Sequence, residues 1–509
     1  MSEITHRASD HLPIALYRAE QVRELDRQAI EGEGIAGFTL MRRAGRVAFE
    51  QMLACWPEFL EAEQAWVVTI VCGTGNNAGD GFVLASLARQ RGIAVRLLQL
   101  GDGEKLSGDA LLAKKRAEQS GIVVEPFSES LCAGQGVVVD ALLGTGLTGQ
   151  VRAEAATAIA WMNEQGLPLM ALDVPSGLCS DRGVVLGCAV QADVTVTFIG
   201  MKQGLLTAEA PDYCGDIYYY DLSVPPVIFT TLQPSSYRLL LSQALASLPP
   251  RKACAHKGHF GHALITGGDE GMGGAVILAS EAAARGGAGL VSCATREAHV
   301  APLLSRCPEV MVKAINEAES YQTLLQKASA VAIGPGLGRE AWGQALLLAA
   351  YQCDLPLVVD ADALNLLAEG QLITAPHRDN WLLTPHPAEA ARLLACTTAD
   401  IQADRFAAAK ALQHQYGGAV VLKGAGSVVV DAEGTAFVCS YGNPGMASGG
   451  MGDVLSGLLA ALLAQGLSVS EAAKIGVCLH AVAADRATIH GEAGLLASDI
   501  MQPLRSLIN

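Results

Sequence analysis

The residues best equipped for chemistry lie in the C-terminal half, in Asn443-Pro444-Gly445-Met446-Ala447-Ser448-Gly449-Gly450-Met451-Gly452-Asp453, followed by the apolar helical run VLSGLLAALLAQ. Glycine-rich backbone before a helix presents N–H groups at its positive end, which stabilises charge on a transferring phosphoryl group. An aspartate inside such an anion hole competes with the anion. It makes sense as a general base or acid aimed at a reacting hydroxyl. A plain turn with Asp453 as helix cap needs only one polar residue and leaves the glycines unexplained.

Other loops at predicted strand ends could complete that site. They are Lys423-Gly424-Ala425-Gly426-Ser427, suited to a nucleotide's phosphate or ribose, and Thr384-Pro385-His386-Pro387-Ala388-Glu389, with an imidazole and a carboxylate. Gly334-Pro335-Gly336-Leu337-Gly338 and Asp360-Ala361-Asp362-Ala363-Leu364-Asn365 end two more strands.

A second set occupies the N-terminal half. Gly73-Thr74-Gly75-Asn76-Asn77-Ala78-Gly79-Asp80-Gly81 reads as a glycine-rich turn between a strand and the helical run FVLASLARQ, able to receive an anionic group. It also fits the loose dinucleotide fingerprint G-x-G-x-x-A, but a dehydrogenase wants an acidic residue ending the next strand, where Gln99 stands and Asp102 comes late. Asp140-Ala141-Leu142-Leu143-Gly144-Thr145-Gly146 and Asp173-Val174-Pro175-Ser176-Gly177 end two further strands, so the three loops should converge on one cleft. Oxygens from Asn76, Asp140 and Ser176 could hold a monovalent cation. Lys202 could reach the same cleft or be a solvated surface amine.

These loops require strands to carry them. Short β-branched runs alternate with Ala- and Leu-rich helical stretches, the pattern of βαβ units around a parallel sheet. Strands are predicted at 66–72, 94–100, 136–140, 168–172 and 193–199, then at 262–266, 329–333, 356–360, 381–384 and 419–422, with a hairpin at 427–440. A charged helix is expected around 19–31. The stretch 230–245, between Pro225-Pro226 and Pro249-Pro250, has no clear period and is the expected linker. The chain is thus read as two domains, 1–235 and 236–509, as its 509 residues exceed the roughly 100–200 of one usual core. The motifs of the two halves differ, so no internal repeat is expected.

Thirty-five Lys and Arg against 51 Asp and Glu give a net charge of −16, which argues against nucleic acid and anionic membranes as partners. Apolar runs are too short for a membrane span. The segment MSEITHRASDHLP is too polar for a signal peptide, and the 13 cysteines include no Cys-x-x-Cys pair, so a cytoplasmic protein with reduced thiols is expected. A homo-oligomer is compatible with all of this.

Taken together, GNNAGDG, DALLGTG and DVPSG in the first half, with HKGHFGHALITGG, GPGLG, DADALN, TPHPAE, LKGAGS and GGMGD in the second, resemble the bifunctional NAD(P)H-hydrate repair enzymes over nearly the whole chain. The resemblance implies a Rossmann-like epimerase domain joined to a ribokinase-like, ADP-dependent dehydratase domain. The epimerase would interconvert the R and S forms of NADHX and NADPHX, reduced cofactors damaged by addition of water. The dehydratase would use ADP to make the hydroxyl of the S form leave as phosphate, restoring NAD(P)H and yielding AMP.

By the same resemblance, potassium would be held by Asn76 or Asn77 with Asp140 and Ser176. The hydrate would meet Asn76, Asn77, Ala78, Gly79 and Asp80, the run Gly144, Thr145, Gly146, Leu147, Thr148, Gly149 and Gln150, and Asp173. Asp173 would be the acid or base of epimerisation, with Lys202 as helper. In the second half Ala275, Gly338 and His386 match substrate contacts, Lys423, Gly424, Ala425, Gly426, Ser427 and Gly452 the nucleotide site, and Asp453 the base, with magnesium on the nucleotide. Two positions depart from the family pattern: Ala78 replaces a glycine, and His386 stands where related sugar kinases carry Asn. A small-molecule kinase, or an N-terminal half that only binds, are the competing readings.

Overall fold

The computed structural model describes residues 11–60, 66–248 and 250–508. Most of the segment read as no signal peptide, and Pro249 of the linker pair, lie outside them. The chain divides into two compact units, Met1–Tyr237 and Arg238–Asn509.

In the first unit seven parallel strands lie side by side in the order Val124–Pro126, Ala94–Gln99, Val67–Cys72, Gly136–Ala141, Leu169–Leu172, Val194–Phe198 and Asp216–Tyr220. Side chains alternate between the sheet's faces. Ile70, Val137 and Val139 pack with Phe82 under one layer of helices, while Val71, Val138 and Ala171 pack with Ile159 and Trp161 on the other side. Both faces are therefore buried, as parallel sheets require. Chain order reverses between Val67–Cys72 and Gly136–Ala141, and the crevice beyond such a reversal is where open α/β sheets bind ligands.

The second unit has a parallel sheet ordered Met311–Ala314, Leu290–Thr295, His262–Thr266, Ala330–Ile333, Leu357–Val359, Trp381–Leu383 and Ala419–Leu422. The antiparallel hairpin Ser427–Val430 and Ala436–Cys439 extends it. Ile265, Ala332, Val358 and Val421 pack against helices Gly273–Arg285, Met451–Ala464 and Val469–Ala487. The first two helices touch so closely that a Cβ on Gly457 would stand 1.9 Å from the Ala279 carbonyl oxygen.

The α/β class expected of both halves is met. Besides the short strands Ala15–Leu16 and Ser236–Arg238, the strands not foreseen are Val124–Pro126, Asp216–Tyr220, Leu290–Thr295 and Met311–Ala314. Val124–Pro126 and Met311–Ala314 are short sheet edges, LVSCAT carries small polar residues in place of β-branched ones, and DIYYY lies near the expected linker. The charged helix runs Ala19–Arg27 and continues as a wide π-turn, Gln28–Gly32.

Candidate functional sites

The glycine-rich segment of the first unit is only partly a loop. The turn is Gly73-Thr74-Gly75, and the helix begins at Asn76, so Asn77 to Gly81 already belong to its first turns. Their glycines serve packing: a Cβ on Gly79 would collide with Met41, and one on Gly81 would stand 2.7 Å from the Ala141 Cβ. Ala78 is buried in regular helix, where any L-residue fits, so its departure from glycine introduces no strain. Gln99 donates to the Gly73 carbonyl and pins the turn, while Asp102 caps a short helical turn; neither is placed to bind a ribose.

Across the reversal point the loops lock together. Asn77 Nδ2 donates to the Leu143 carbonyl at 3.0 Å, and its Oδ1 is buried without a hydrogen-bond partner. Asp140, fully buried, accepts from Ser176 Oγ at 2.6 Å, Ser176 N at 2.7 Å and Leu142 N at 3.0 Å. Burial lifts the Asp140 carboxyl to about 6 against those three donors. Asn76, by contrast, is exposed. The run Gly144–Gln150 leaves this cluster beside Asn77 and Asp173, then passes to the surface; Gly146 and Thr148 to Gln150 are exposed.

Asp173 sits at a γ-turn with φ of 66°, a left-handed conformation closed by Val174 N on the Leu172 carbonyl. Such strain in a non-glycine residue persists where surrounding structure enforces it. Here that structure is Lys202, whose Nζ donates to Asp173 Oδ1, to Thr197 Oγ1 at 3.1 Å and to the Phe198 carbonyl at 2.9 Å. Lys202 is 1% exposed, so it is no surface amine. Burial, then Asp173 and Asp26, push the Asp80 carboxyl well above the usual range, with Lys202 opposing.

In the second unit Gly450, at φ 90°, turns the chain into the helix Met451–Ala464, whose first internal hydrogen bond runs from Val454 N to the Gly450 carbonyl. Asp453 lies in the first turn and is not the cap. Burial and then the charge of Asp360 raise its carboxyl to about 7, with Lys423 opposing. Lys423 Nζ lies 2.8 Å from Asp360 Oδ1 and 3.9 Å from Glu389 Oε2, and Ser456 Oγ donates to Asp360 Oδ2 at 2.7 Å. Burial works against the Lys423 charge, but Asp360, Glu389 and Asp453 outweigh it and raise its pKa. Gly452 faces this pair: a Cβ there would stand 3.3 Å from Lys423 Nζ.

The remaining positions group around these. His386 Nδ1 caps the helix Pro387–Leu393, accepting from Ala388 N and Glu389 N, so its proton sits on Nε2, 3.3 Å from Glu389 Oε1. Burial, then Lys423 and Arg392, lower the His386 pKa, leaving a neutral, half-exposed ring edge. Ser427 Oγ closes the Gly424–Ser427 turn on the Gly424 carbonyl at 3.0 Å. Gly338 N donates to Asp362 Oδ2 at 2.9 Å, and a Cβ on Gly336 would meet Ala275, so these loops adjoin the Asp360 strand end. The sequence reading missed the role of Arg405, a buried guanidinium that donates to the Leu422 and Lys423 carbonyls and holds the lysine loop. It also missed Asp26. Neither lies in a glycine-rich or strand-end motif.

Two open α/β units, each with charged and polar groups gathered beyond the carboxyl ends of its strands, define a two-site enzyme. Similarity makes it specific. Residues 37–204 match the family model described as YjeF-related protein N-terminus, and residues 263–505 that of NAD(P)H-hydrate dehydratase. The bifunctional NAD(P)H-hydrate repair enzyme of Coxiella burnetii is 47% identical over 97% of this chain and 99% of its own length, and that of Escherichia coli 40% identical over 98% and 95%. Among solved structures, the ADP/ATP-dependent NAD(P)H-hydrate dehydratase of Bacillus subtilis, co-crystallised with ATP and magnesium, is 28% identical, covers 53% of this chain and 96% of its own, and has a TM-score of 0.47. The chain belongs to the bifunctional NAD(P)H-hydrate repair enzymes. The resemblance drawn from the motifs is thereby confirmed, and so are the two activities, epimerase and dehydratase. Among the described residues no helix is long and apolar enough to cross a membrane.

Proposed function

We propose that residues 1–235 epimerise the R and S hydrates of NADH and NADPH, and that residues 236–509 dehydrate the S form while converting ADP to AMP and phosphate. The observation that carries the chemistry is Asp453: a carboxyl with pKa of about 7 at an anion-receiving helix start, beside the Lys423–Asp360 pair. Asp453 takes the hydroxyl proton as the substrate oxygen attacks the terminal phosphorus of ADP. The phosphorylated carbon then releases phosphate with the C–O electron pair, the neighbouring ring carbon loses a proton, and the double bond returns. Lys423 neutralises phosphate charge, Gly424 to Ser427 and Gly452 shape the nucleotide site, and Ala275, Gly338 and the Nε2 edge of His386 line the hydrate.

Magnesium enters on the nucleotide's own phosphates; among the described residues no three His, Cys, Asp or Glu side chains are grouped to hold a metal. In the first unit the unpartnered Asn77 Oδ1, with Asp140 and Ser176, fits an oxygen-liganded potassium ion. Asn77 is preferred over the exposed Asn76. The ion would fix the Asn77–Asp80 turn and the Gly144–Gln150 loop around the hydrate, with Asp173 as acid or base and Lys202 holding it. The partners are small molecules, neither nucleic acid nor membrane, and the setting is the cytoplasm.

The test supplies hydrated NADH, ADP, potassium and magnesium to the full chain and follows return of the dihydronicotinamide absorbance. Recovery from the S form should fall about 10²–10⁴-fold in Asp453→Asn with ADP binding retained. No recovery in the wild type with either ADP or ATP sinks the dehydratase reading. A stable phosphorylated product would make the second unit a kinase.

A further inference from the structure

Three carboxylates of the first unit gather around one buried ammonium. Asp173 is ion-paired with Lys202, and Asp80 and Asp26 lie within electrostatic reach of both. Asp26 comes from the helix Ala19–Arg27, outside the span 37–204 that matches the family model and outside every glycine motif.

That helix is fastened over the site. Tyr17 N donates to the Met201 carbonyl at 2.8 Å and Gln203 N to the Tyr17 carbonyl at 3.0 Å, bracketing Lys202. Ala19 N donates to Asp181 Oδ1 at 2.6 Å, and Arg23 Nη1 reaches the Thr145 carbonyl at 3.4 Å on the Gly144–Gln150 loop. A Cβ on Gly200 would stand 2.8 Å from Val22 Cγ2, so the helix lies directly against the strand end. Asp26 is one turn beyond Val22 on the same face. Burial lifts its carboxyl to about 6, with Lys202 opposing and Asp173 adding to the rise.

Hydration of the ring's enamine double bond places the hydroxyl on the carbon next to the ring nitrogen. Inverting that carbon by ring opening needs two proton-handling groups. A base removes the hydroxyl proton, the C=O bond forms, and the C–N bond breaks with its electron pair passing to nitrogen. Nitrogen takes a proton from an acid. Closure on the other face of the carbonyl reverses each transfer, with no net gain of protons or electrons.

We propose that Asp26 is the acid of this pair, giving its proton to the ring nitrogen while Asp173, held by Lys202, accepts the hydroxyl proton. The proposal rests on the epimerase reading of this unit. Asp26→Asn keeps the shape and has no proton to give. In the full chain it should lower kcat for R-to-S conversion about 10²-fold or more with KM little changed, while the rate of the dehydratase half on pure S-hydrate stays at wild type. Asp26→Glu should recover part of the loss. The fall of wild-type kcat/KM above about pH 6, read against the neighbouring Asp173, Asp80, Lys202 and Arg23, should vanish in Asp26→Asn.

Asp26→Asn within twofold of wild type, with Asp173→Asn inactive, overturns the role of Asp26 and leaves the epimerase reading standing. If Asp173→Asn is also active, the epimerase chemistry falls with it. A loss confined to KM, or an equally inactive Asp26→Glu with a lowered melting temperature, assigns Asp26 to binding or folding and overturns the proposal.

Discussion

Each unit places a lysine beside the carboxylates at its strand ends, but the lysines have different partners. Lys202, 1% exposed at its side chain, is paired with Asp173 itself and has two further acceptors in Thr197 and Phe198. Lys423, at 21%, is paired with Asp360, which Ser456 also holds, so Asp453 faces the site with a negative neighbour and only indirect help from the ammonium. The first arrangement fixes a carboxylate in place. The second keeps one poised near neutrality, as a base that must deprotonate a hydroxyl near pH 7 requires.

Removing either lysine should have the largest destabilising effect. Lys202→Met strands the partly buried Asp173 carboxylate, and losing one partner of a buried pair costs about 3–5 kcal/mol, taken at the lower end because Asp173 keeps some solvent contact. Lys423→Met strands Asp360, whose side chain is 2% exposed and keeps the Ser456 hydroxyl as donor, and should likewise cost its unit about 3 kcal/mol. Hydrogen exchange, read separately on peptides of each unit, measures both. A loss below about 1 kcal/mol in either unit would mean that its lysine is held as loosely as a surface ion pair and would break the comparison.

A smaller effect lies in the pH dependence of dehydration. With a pKa of about 7, Asp453 is mostly protonated at pH 5 and unable to act as base, so kcat/KM for the S-hydrate should drop about fiftyfold between pH 7 and pH 5. Lys423→Met removes the charge that opposes the rise and should move this limb to higher pH. A limb that stays in place would mean that Asp453 does not sense Lys423.

Most of this layout is legible in the chain because strand-end glycines and aspartates sit next to strong hydrophobic runs. Asn77, Asp140, Ser176, Asp173, Lys423 and Asp453 all come from such motifs. What a motif cannot convey is which groups meet across the fold. The loop read at 73–81 is mostly helix, because its glycines answer to Met41 and Ala141 rather than to a turn. Lys202 looked as much like a surface amine as a site residue until the fold buried it. Asp26 and Arg405 sit in ordinary helical sequence and become part of the sites only through packing at long range. His386 shows the converse: one imidazole edge is committed to a helix cap while the other stays exposed, and spacing alone does not divide a ring in two.

The comparison also predicts opposite signs for one kind of mutation. The Asp453 carboxyl rises from 3.8 to about 7 on folding, so the native state holds the proton more tightly than the unfolded chain. The stability this contributes is complete below about pH 4 and is lost as pH rises through about 7, at up to about 1.4 kcal/mol per pH unit. Asp453→Asn is neutral at every pH and avoids that loss. It should stabilise the second unit by up to about 4 kcal/mol at pH 8 and by almost nothing at pH 4, while removing the proposed base of dehydration. Asp173→Asn should do the reverse in the first unit, because it leaves the Lys202 ammonium buried with only neutral acceptors. Exchange protection of each unit at pH 4 and pH 8 decides it: if Asp453→Asn destabilises at pH 8, the ionised carboxylate is held by favourable contacts, and the second unit fixes its base just as the first does.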